Sequence, residues 1–177
     1  MDVFTFSTFV AILALVAIVL ALIGVIVRVA APAEVTSMLG DASRWLAWLV
    51  ALTATVGSLL YSEVYHLEPC RLCWYQRIAM YPLALILLVG AVRRDTKVRM
   101  YGLPLSVVGL GISIWHYFIQ VFPDLEGGSC DPNNPCSARL VEVLGFVSIP
   151  FMAGAGFLLI SVLLAFFSAH DSRSEIT

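Results

Sequence analysis

The sequence predicts an all-α integral membrane protein. Of its 177 residues, 60% are hydrophobic and only 12% are charged, whereas about a quarter of a soluble domain is usually charged. Five apolar segments are each long enough for the roughly 20 helical residues that cross the hydrocarbon core. They cover residues 7–28, 44–65, 73–92, 100–122 and 145–168. The net charge of -2 and the lack of a long basic patch in the sequence argue against nucleic-acid binding.

The first segment is interpreted as a retained span rather than a cleaved signal peptide. Its apolar run exceeds the roughly 7–15 residues of a signal core, and no basic residue precedes it. Residues 1–43 are therefore predicted to form an extra N-terminal transmembrane helix with its linker. Residues 44–168 are predicted to form a four-helix transmembrane bundle, and residues 169–177 a polar tail.

The loop at residues 93–99 sets the predicted orientation. It reads Arg-Arg-Asp-Thr-Lys-Val-Arg, the densest positive charge in the chain. Short loops rich in Lys and Arg stay in the cytoplasm. Counting spans from this loop puts the C-terminal tail in the cytoplasm and the N-terminus outside. The connections before residue 73 and at residues 123–144 then both lie on the extracytoplasmic side.

Each of these outer connections carries a close pair of cysteines, Cys70 with Cys73 and Cys130 with Cys136. In an oxidising compartment the plainest interpretation is two structural disulfides, and a zinc site of four cysteines is another alternative. However, Cys70 and Cys73 stand at the start of a predicted helix, where the helix N-terminus lowers a thiol pKa. This placement favours redox chemistry, and we expect no metal site.

Arg77 is the second chemical signal. Cys70, Cys73 and Arg77 follow the spacing i, i+3, i+7 and so share one helical face. A charge just inside a membrane span is costly and indicates a functional site. Arg77 either reaches the surface to pair with Glu63 or Glu68, or it stabilises an anion such as a thiolate or the oxygen of a quinone.

Further polar side chains stand near the outer ends of the spans. Glu63 and His66 are one turn apart and are candidates for a proton relay, while His116 shares a face with Gln120. If a quinone binds near Arg77, His116 is a candidate for binding one of its oxygens, and Trp74 is a candidate for lining its pocket. The alternative is that these residues are hydrogen-bonded groups or aromatic anchors at the membrane interface.

Residues 69–77, Pro-Cys-Arg-Leu-Cys-Trp-Tyr-Gln-Arg, resemble the signature of the DsbB/BdbC family of membrane disulfide-formation proteins. Residues 61–64 and 74–78 are similar to the BdbC branch in particular. The resemblance covers residues 44–168, including the second cysteine pair after two further spans, and it leaves residues 1–43 without a counterpart. Vitamin K epoxide reductase-type enzymes carry their loop pair before the Cys-x-x-Cys, so the order of cysteines favours the DsbB type.

The resemblance implies a thiol:quinone oxidoreductase in a prokaryotic plasma membrane. Cys70, Cys73, Cys130 and Cys136 would be catalytic, with Cys73 meeting a ubiquinone or menaquinone and Arg77 holding it. The loop pair would exchange disulfides with a DsbA/BdbD-like thioredoxin-fold thiol oxidase. The alternative of a different class is a non-enzymatic membrane scaffold with two structural disulfides.

Overall fold

The computed structural model describes residues 2–30, 40–128 and 130–167. Within them, five helices are long and apolar enough to cross a membrane. The predicted all-α membrane fold is therefore confirmed. Most of the predicted linker before residue 44 and the whole predicted tail at residues 169–177 lie outside the described residues.

The five helices match the five predicted spans to within a few residues at each end. They are α1 (Val3–Ala30), α2 (Gly40–Leu59), α3 (Arg71–Val92), α4 (Val98–Val121) and α5 (Ile149–Phe166). The last turn of α2 widens into a π-helical turn, Leu60–Val64. Such turns are frequent at functional sites, and this one precedes the first cysteine pair.

Helices α2, α3, α4 and α5 pack in a closed ring, each against the next, and α1 packs on the outside of α5. Where α4 approaches α5, a Cβ on Gly109 would lie 2.3 Å from Cε1 of Phe157. Only glycine fits this contact, because a side chain would collide with a fully buried ring. The result is the four-helix bundle plus one extra helix that the sequence predicts.

The long connection between α4 and α5 contains a short 3₁₀ turn and a two-stranded hairpin that the sequence did not predict. A 3₁₀ turn (Pro123–Glu126) follows α4, and β1 (Glu142–Val143) pairs antiparallel with β2 (Val147–Ser148). The predicted start of the fifth span at residue 145 is therefore too early. Gly145 has a φ of 76° in the hairpin turn, and Pro150 lies in the first turn of α5.

Candidate functional site

Cys70 begins the site as the N-cap residue of α3. Its backbone is extended, and its sulfur accepts the backbone N–H of Cys73 at 3.4 Å. A helix N-terminus exposes unpaired N–H groups and carries a partial positive charge, so it favours an anion at this position. The fold therefore places one sulfur of the Cys-x-x-Cys pair where a thiolate is stabilised.

The side chains around Cys70 act in the same direction. The sulfurs of Cys70 and Cys73 share a hydrogen bond of 2.9 Å, in which a Cys70 thiolate accepts from the Cys73 thiol, and Nε2 of His116 lies 3.6 Å from the Cys70 sulfur. The hydrogen bond from Cys73 lowers the pKa of Cys70 to about 4; burial opposes this shift, and His116 adds to it. Cys70 is thus the stabilised thiolate of the pair.

His116 connects the helix pair to the loop pair. Its side chain is 1% exposed, and its Nε2 lies 3.1 Å from the carbonyl oxygen of Cys136. A carbonyl only accepts, so Nε2 carries the proton and donates both to this oxygen and toward the sulfur of Cys70. The other ring nitrogen, Nδ1, is buried without a hydrogen-bond partner in the described part of the chain.

The loop cysteines form a disulfide, Cys130–Cys136, with both residues buried. Glu126 holds this loop through two hydrogen bonds: one carboxylate oxygen accepts the N–H of Cys136 at 2.7 Å, and the other accepts the hydroxyl of Ser137 at 2.6 Å. One oxygen of Glu126 also lies within 4.8 Å of both loop sulfurs. A negative charge therefore stands beside the loop disulfide.

Both pairs belong to one buried cluster. Cys70, Cys130 and Cys136 pack together with Leu72 and Ile119, and Cys73 lies partly buried at its edge. The N-terminus of α3 and the connection after α4 meet at the same end of the bundle, as the span count predicts. The four sulfurs therefore form one site rather than two separate ones.

On its other side, Cys73 opens onto an apolar cleft of about 640 Å³. The cleft runs between α1 and α2, both of which pack against α5. Its lining is almost entirely aliphatic and aromatic, and Arg77 lines it together with Cys73. A cleft with an apolar body and a charged end matches an amphiphilic ligand.

Arg77 is held in this cleft by α2. Its Nε donates to the hydroxyl oxygen of Ser58 and its Nη2 to the backbone carbonyl of Ser58, both at 3.0 Å. Its guanidinium carbon lies 5.3 Å from the centre of the Trp74 ring, and Tyr81 donates to the same Ser58 hydroxyl. In the described residues Arg77 forms no ion pair with Glu63 or Glu68, so its charge remains uncompensated by a carboxylate.

Comparison with known families identifies the chain. The family model for disulfide bond formation protein DsbB matches residues 40–167. This chain belongs to the DsbB family. The chain is therefore a multi-pass membrane protein of disulfide bond formation, and the family match agrees with the order of cysteines in favouring the DsbB type over the vitamin K epoxide reductase type.

Individual relatives of this DsbB-family protein point the same way. Disulfide bond formation protein C of Bacillus subtilis is 43% identical over 130 residues, which are 73% of this chain and 94% of the relative. The probable disulfide formation protein of Oceanobacillus iheyensis is 49% identical over 121 residues, 67% of this chain and 83% of the relative. No solved structure matches the chain.

Several predicted site residues of the DsbB-family protein lie away from the cleft. Trp74 is 52% exposed and contacts Arg77 from outside the lining. His116 lies between the cysteine pairs rather than at the cleft. Glu63 and His66 are exposed at the end of α2 and do not line the cleft either. Their predicted roles in quinone binding and proton relay stay predictions.

Sequence reasoning missed two residues that position the predicted ones. Ser58 anchors Arg77 across two helices, and Glu126 anchors the backbone of Cys136. Ser58 lies 19 residues before Arg77, and no spacing rule connects residues on different helices. Glu126 carried a weak signal, as an acidic residue in the same connection as the loop cysteines.

The sulfur and nitrogen donors also bear on metal binding. Ligand atoms of Cys70, Cys73 and His116 lie within 4.8 Å of one another. These are donors that suit a thiophilic metal, and the expectation of no metal site stays a prediction. A zinc site of all four cysteines does not fit this arrangement, because the sulfurs of Cys130 and Cys136 are bonded to each other.

Proposed function

We propose that this protein is a thiol:quinone oxidoreductase that reoxidises a thioredoxin-fold thiol oxidase and passes the electrons to a membrane quinone. The observation that carries the proposal is the position of the two helix sulfurs. Nε2 of His116 contacts both the sulfur of Cys70 and the backbone carbonyl of Cys136. Cys73, in contrast, lines the cleft beside Arg77. One cysteine pair with two such faces suits a relay between a protein thiol and a lipid-soluble acceptor.

The orientation in the membrane follows from the positive loop at residues 93–99. With this loop in the cytoplasm of a prokaryotic cell, both cysteine pairs face the extracytoplasmic side of the plasma membrane. An oxidising compartment on that side is where a DsbA/BdbD-like partner forms disulfides in secreted proteins. The relatives named disulfide formation protein support this assignment.

In the first transfer, the partner is oxidised by the loop pair. A partner thiolate attacks Cys130, the Cys130–Cys136 bond breaks, and Cys136 leaves as a thiolate. The second partner thiol then attacks the mixed disulfide and releases Cys130. Two electrons and two protons have passed from the partner to the loop pair, and the partner leaves with its disulfide formed.

In the second transfer, the loop pair reduces the helix pair. A loop thiolate attacks the Cys70–Cys73 disulfide, and the second loop thiol then closes the loop disulfide again. This exchange leaves Cys70 and Cys73 as the reduced pair. His116 donates from Nε2 toward Cys70 and to the backbone carbonyl of Cys136. It therefore keeps the two cysteine pairs close to each other and stabilises the Cys70 thiolate.

The apolar lining and the charged end of the cleft support a ubiquinone or menaquinone as its ligand. A bound quinone would supply the two-electron acceptor that protein side chains lack, and it would take up two protons on becoming a quinol. Cys73 lines the cleft where the ring would lie. A guanidinium has five N–H donors, so Arg77 keeps donors for a ring oxygen beyond the two that bind Ser58.

The test is turnover by the purified protein with a reduced thioredoxin-fold partner and a soluble quinone analogue. We expect partner oxidation and quinol formation in equal amounts, and background rates for Cys73→Ser. The matched control is Ser43→Cys/Cys73→Ser, which has as many cysteines as the wild type but carries the fourth one in the first turn of α2, away from Cys70. If the wild type oxidises its partner no faster than Cys73→Ser, the proposal fails.

A further inference from the structure

Helix α1 meets the bundle through one stripe of small side chains. Ser7, Ala11, Ala14 and Ala21 are buried, and Gly24 approaches the side chain of Val162 on α5. Small residues at this repeat let two membrane helices pack closely. Because the contact is close, α1 has a defined rotation relative to α5.

That rotation turns a second stripe of α1 toward the cleft. Phe9, Leu13, Val16 and Leu20 follow the spacing i, i+4, i+7, i+11 and all line the cleft. At a rise of 1.5 Å per residue, this stripe extends roughly 17 Å along the helix. Without α1, the apolar side of α2 and α5 would form an open groove facing lipid.

The outer end of α1 is also fixed to the rest of the site. The ring of Phe6 lies 5.0 Å from that of Tyr61 in an edge-to-face contact, and the hydroxyl of Tyr61 donates to the hydroxyl oxygen of Ser7 at 3.1 Å. Tyr61 belongs to the π-helical turn and itself lines the cleft. The wall is therefore tied to α2 near the end where the cysteines lie.

We infer that α1 is the wall that confines the isoprenoid tail of the quinone. The inference rests on the proposed function and assigns a role to a helix outside the family match at residues 40–167. Both charged residues of the lining, Glu68 and Arg77, flank Cys73 in sequence, and the stripe on α1 is wholly apolar. A ligand with a redox-active head and a long apolar tail complements both parts at once.

The wall acts by shape rather than by hydrophobic transfer. Lipid chains are as apolar as leucine, so moving a tail from lipid into the cleft gains little from the hydrophobic effect. The cleft adds many van der Waals contacts along the tail. The attraction in each contact is weak, but their sum is large. We therefore assign the affinity for long-tailed quinones, but not the chemistry at Cys73, to the stripe on α1.

The test compares two double variants of the full-length protein. Leu13→Trp/Val16→Trp fills the cleft, and Ile12→Trp/Val19→Trp places the same residues on exposed positions of α1 that do not line it. The first readout is the quinone retained per protein after purification from quinone-containing membranes. The second is the KM for a long-tailed and for a tail-less quinone.

We expect the cleft variant to retain less quinone and to show a higher KM for the long-tailed quinone, each by on the order of tenfold. Its KM for the tail-less quinone should match that of the wild type and of the control variant. Equal behaviour of the two variants would overturn the inference. So would equal losses with both quinones, or retention of phospholipid rather than quinone by the wild type.

The proposed function fails in a distinguishable way. In that case the wild type itself neither retains a quinone nor reduces the tail-less one with a reduced partner. If the wild type reduces both quinones but the cleft variant behaves like the control variant, the proposed function stands and the role of α1 is wrong.

Discussion

The two cysteine pairs lie in one cluster but in opposite electrostatic surroundings. The helix pair has donors around Cys70: the thiol and N–H of Cys73, the N-terminus of α3 and Nε2 of His116. The loop pair has the carboxylate of Glu126 within 4.8 Å of its sulfurs. A thiolate is therefore stabilised at Cys70 of the helix pair and destabilised at the loop pair.

This difference would give the proposed relay its direction. A cysteine pair whose reduced form is stabilised is a stronger oxidant, since its disulfide gains more by accepting electrons. In the proposed relay the helix pair would therefore draw electrons from the loop pair, and the loop pair would meet the partner as a disulfide. The charges around the sulfurs would separate the two roles.

The largest expected effect is the loss of turnover when either cysteine pair is broken. Cys136→Ser leaves Cys130 as a lone thiol, so the loop holds no disulfide for a partner thiolate to attack. Cys73→Ser keeps the loop disulfide, so it accepts two electrons from one partner molecule and then stops. Both variants should lose turnover to background, and a thiol titration should find one partner molecule oxidised per Cys73→Ser protein and none per Cys136→Ser protein. Equal amounts with the two variants would contradict the assignment.

A pH titration tests the surroundings of Cys70. Its folded-state pKa lies below the ordinary thiol value of about 8.5, so its thiolate stabilises the reduced protein fully above that value and progressively less as pH falls toward about 4. Thiolate absorbance of the reduced protein should persist well below neutral pH. Cys73→Ala should move the midpoint upward furthest and His116→Phe less, because the Cys73 hydrogen bond is the largest cause.

The outcome that contradicts this account is a titration midpoint near the ordinary thiol value in the wild type. A wild-type midpoint that Cys73→Ala leaves in place would contradict it as well. Cys73→Ser serves as the conservative variant, since its hydroxyl keeps a donor to Cys70 and should retain part of the shift.

Arg77→Met tests the cleft side of the helix pair. Hydrogen bonds to a charged group contribute about 1.5–3 kcal/mol, so the KM for quinone should rise by about 10- to 100-fold. Single-turnover exchange between the partner and the loop pair should stay within about twofold. Arg93→Met, at the opposite end of α3, is the control. Equal losses in both steps would remove Arg77 from the quinone site.

Glu126→Gln tests the loop side with a smaller change. The amide oxygen can still accept the N–H of Cys136, but the negative charge beside the sulfurs is gone. After solvent screening such a charge is worth about 1 kcal/mol, so the dithiol form should gain on the order of fivefold in equilibrium with a thiol buffer. An unchanged or lower dithiol fraction would show that Glu126 does not set the loop potential.

The sequence predicted the parts of this site that depend on spacing. Cys70, Cys73 and Arg77 share a helical face, and the span count brought Cys130 to the same end of the bundle. Both inferences use only the helical repeat and the alternation of sides across a membrane. The five helices follow from the same reasoning, which is why their bounds differ by only a few residues.

The parts that depend on packing between helices were not predictable in this way. Ser58 meets Arg77 across α2 and α3, and His116 turned toward Cys136 rather than toward the cleft. Helical spacing gives the face of a residue on its own helix, but the rotation of one helix against another depends on side-chain fit. The face that α1 turns toward the cleft depends on the same kind of fit.

The most direct measurement counts the electrons that the fully oxidised protein accepts from its partner without quinone. If the two pairs are connected in the proposed direction, each wild-type molecule oxidises two partner molecules, one for each disulfide. Cys70→Ser/Cys73→Ser, which retains only the loop disulfide, oxidises one. A wild type that also stops at one partner molecule would show that electrons do not pass from the loop pair to the helix pair.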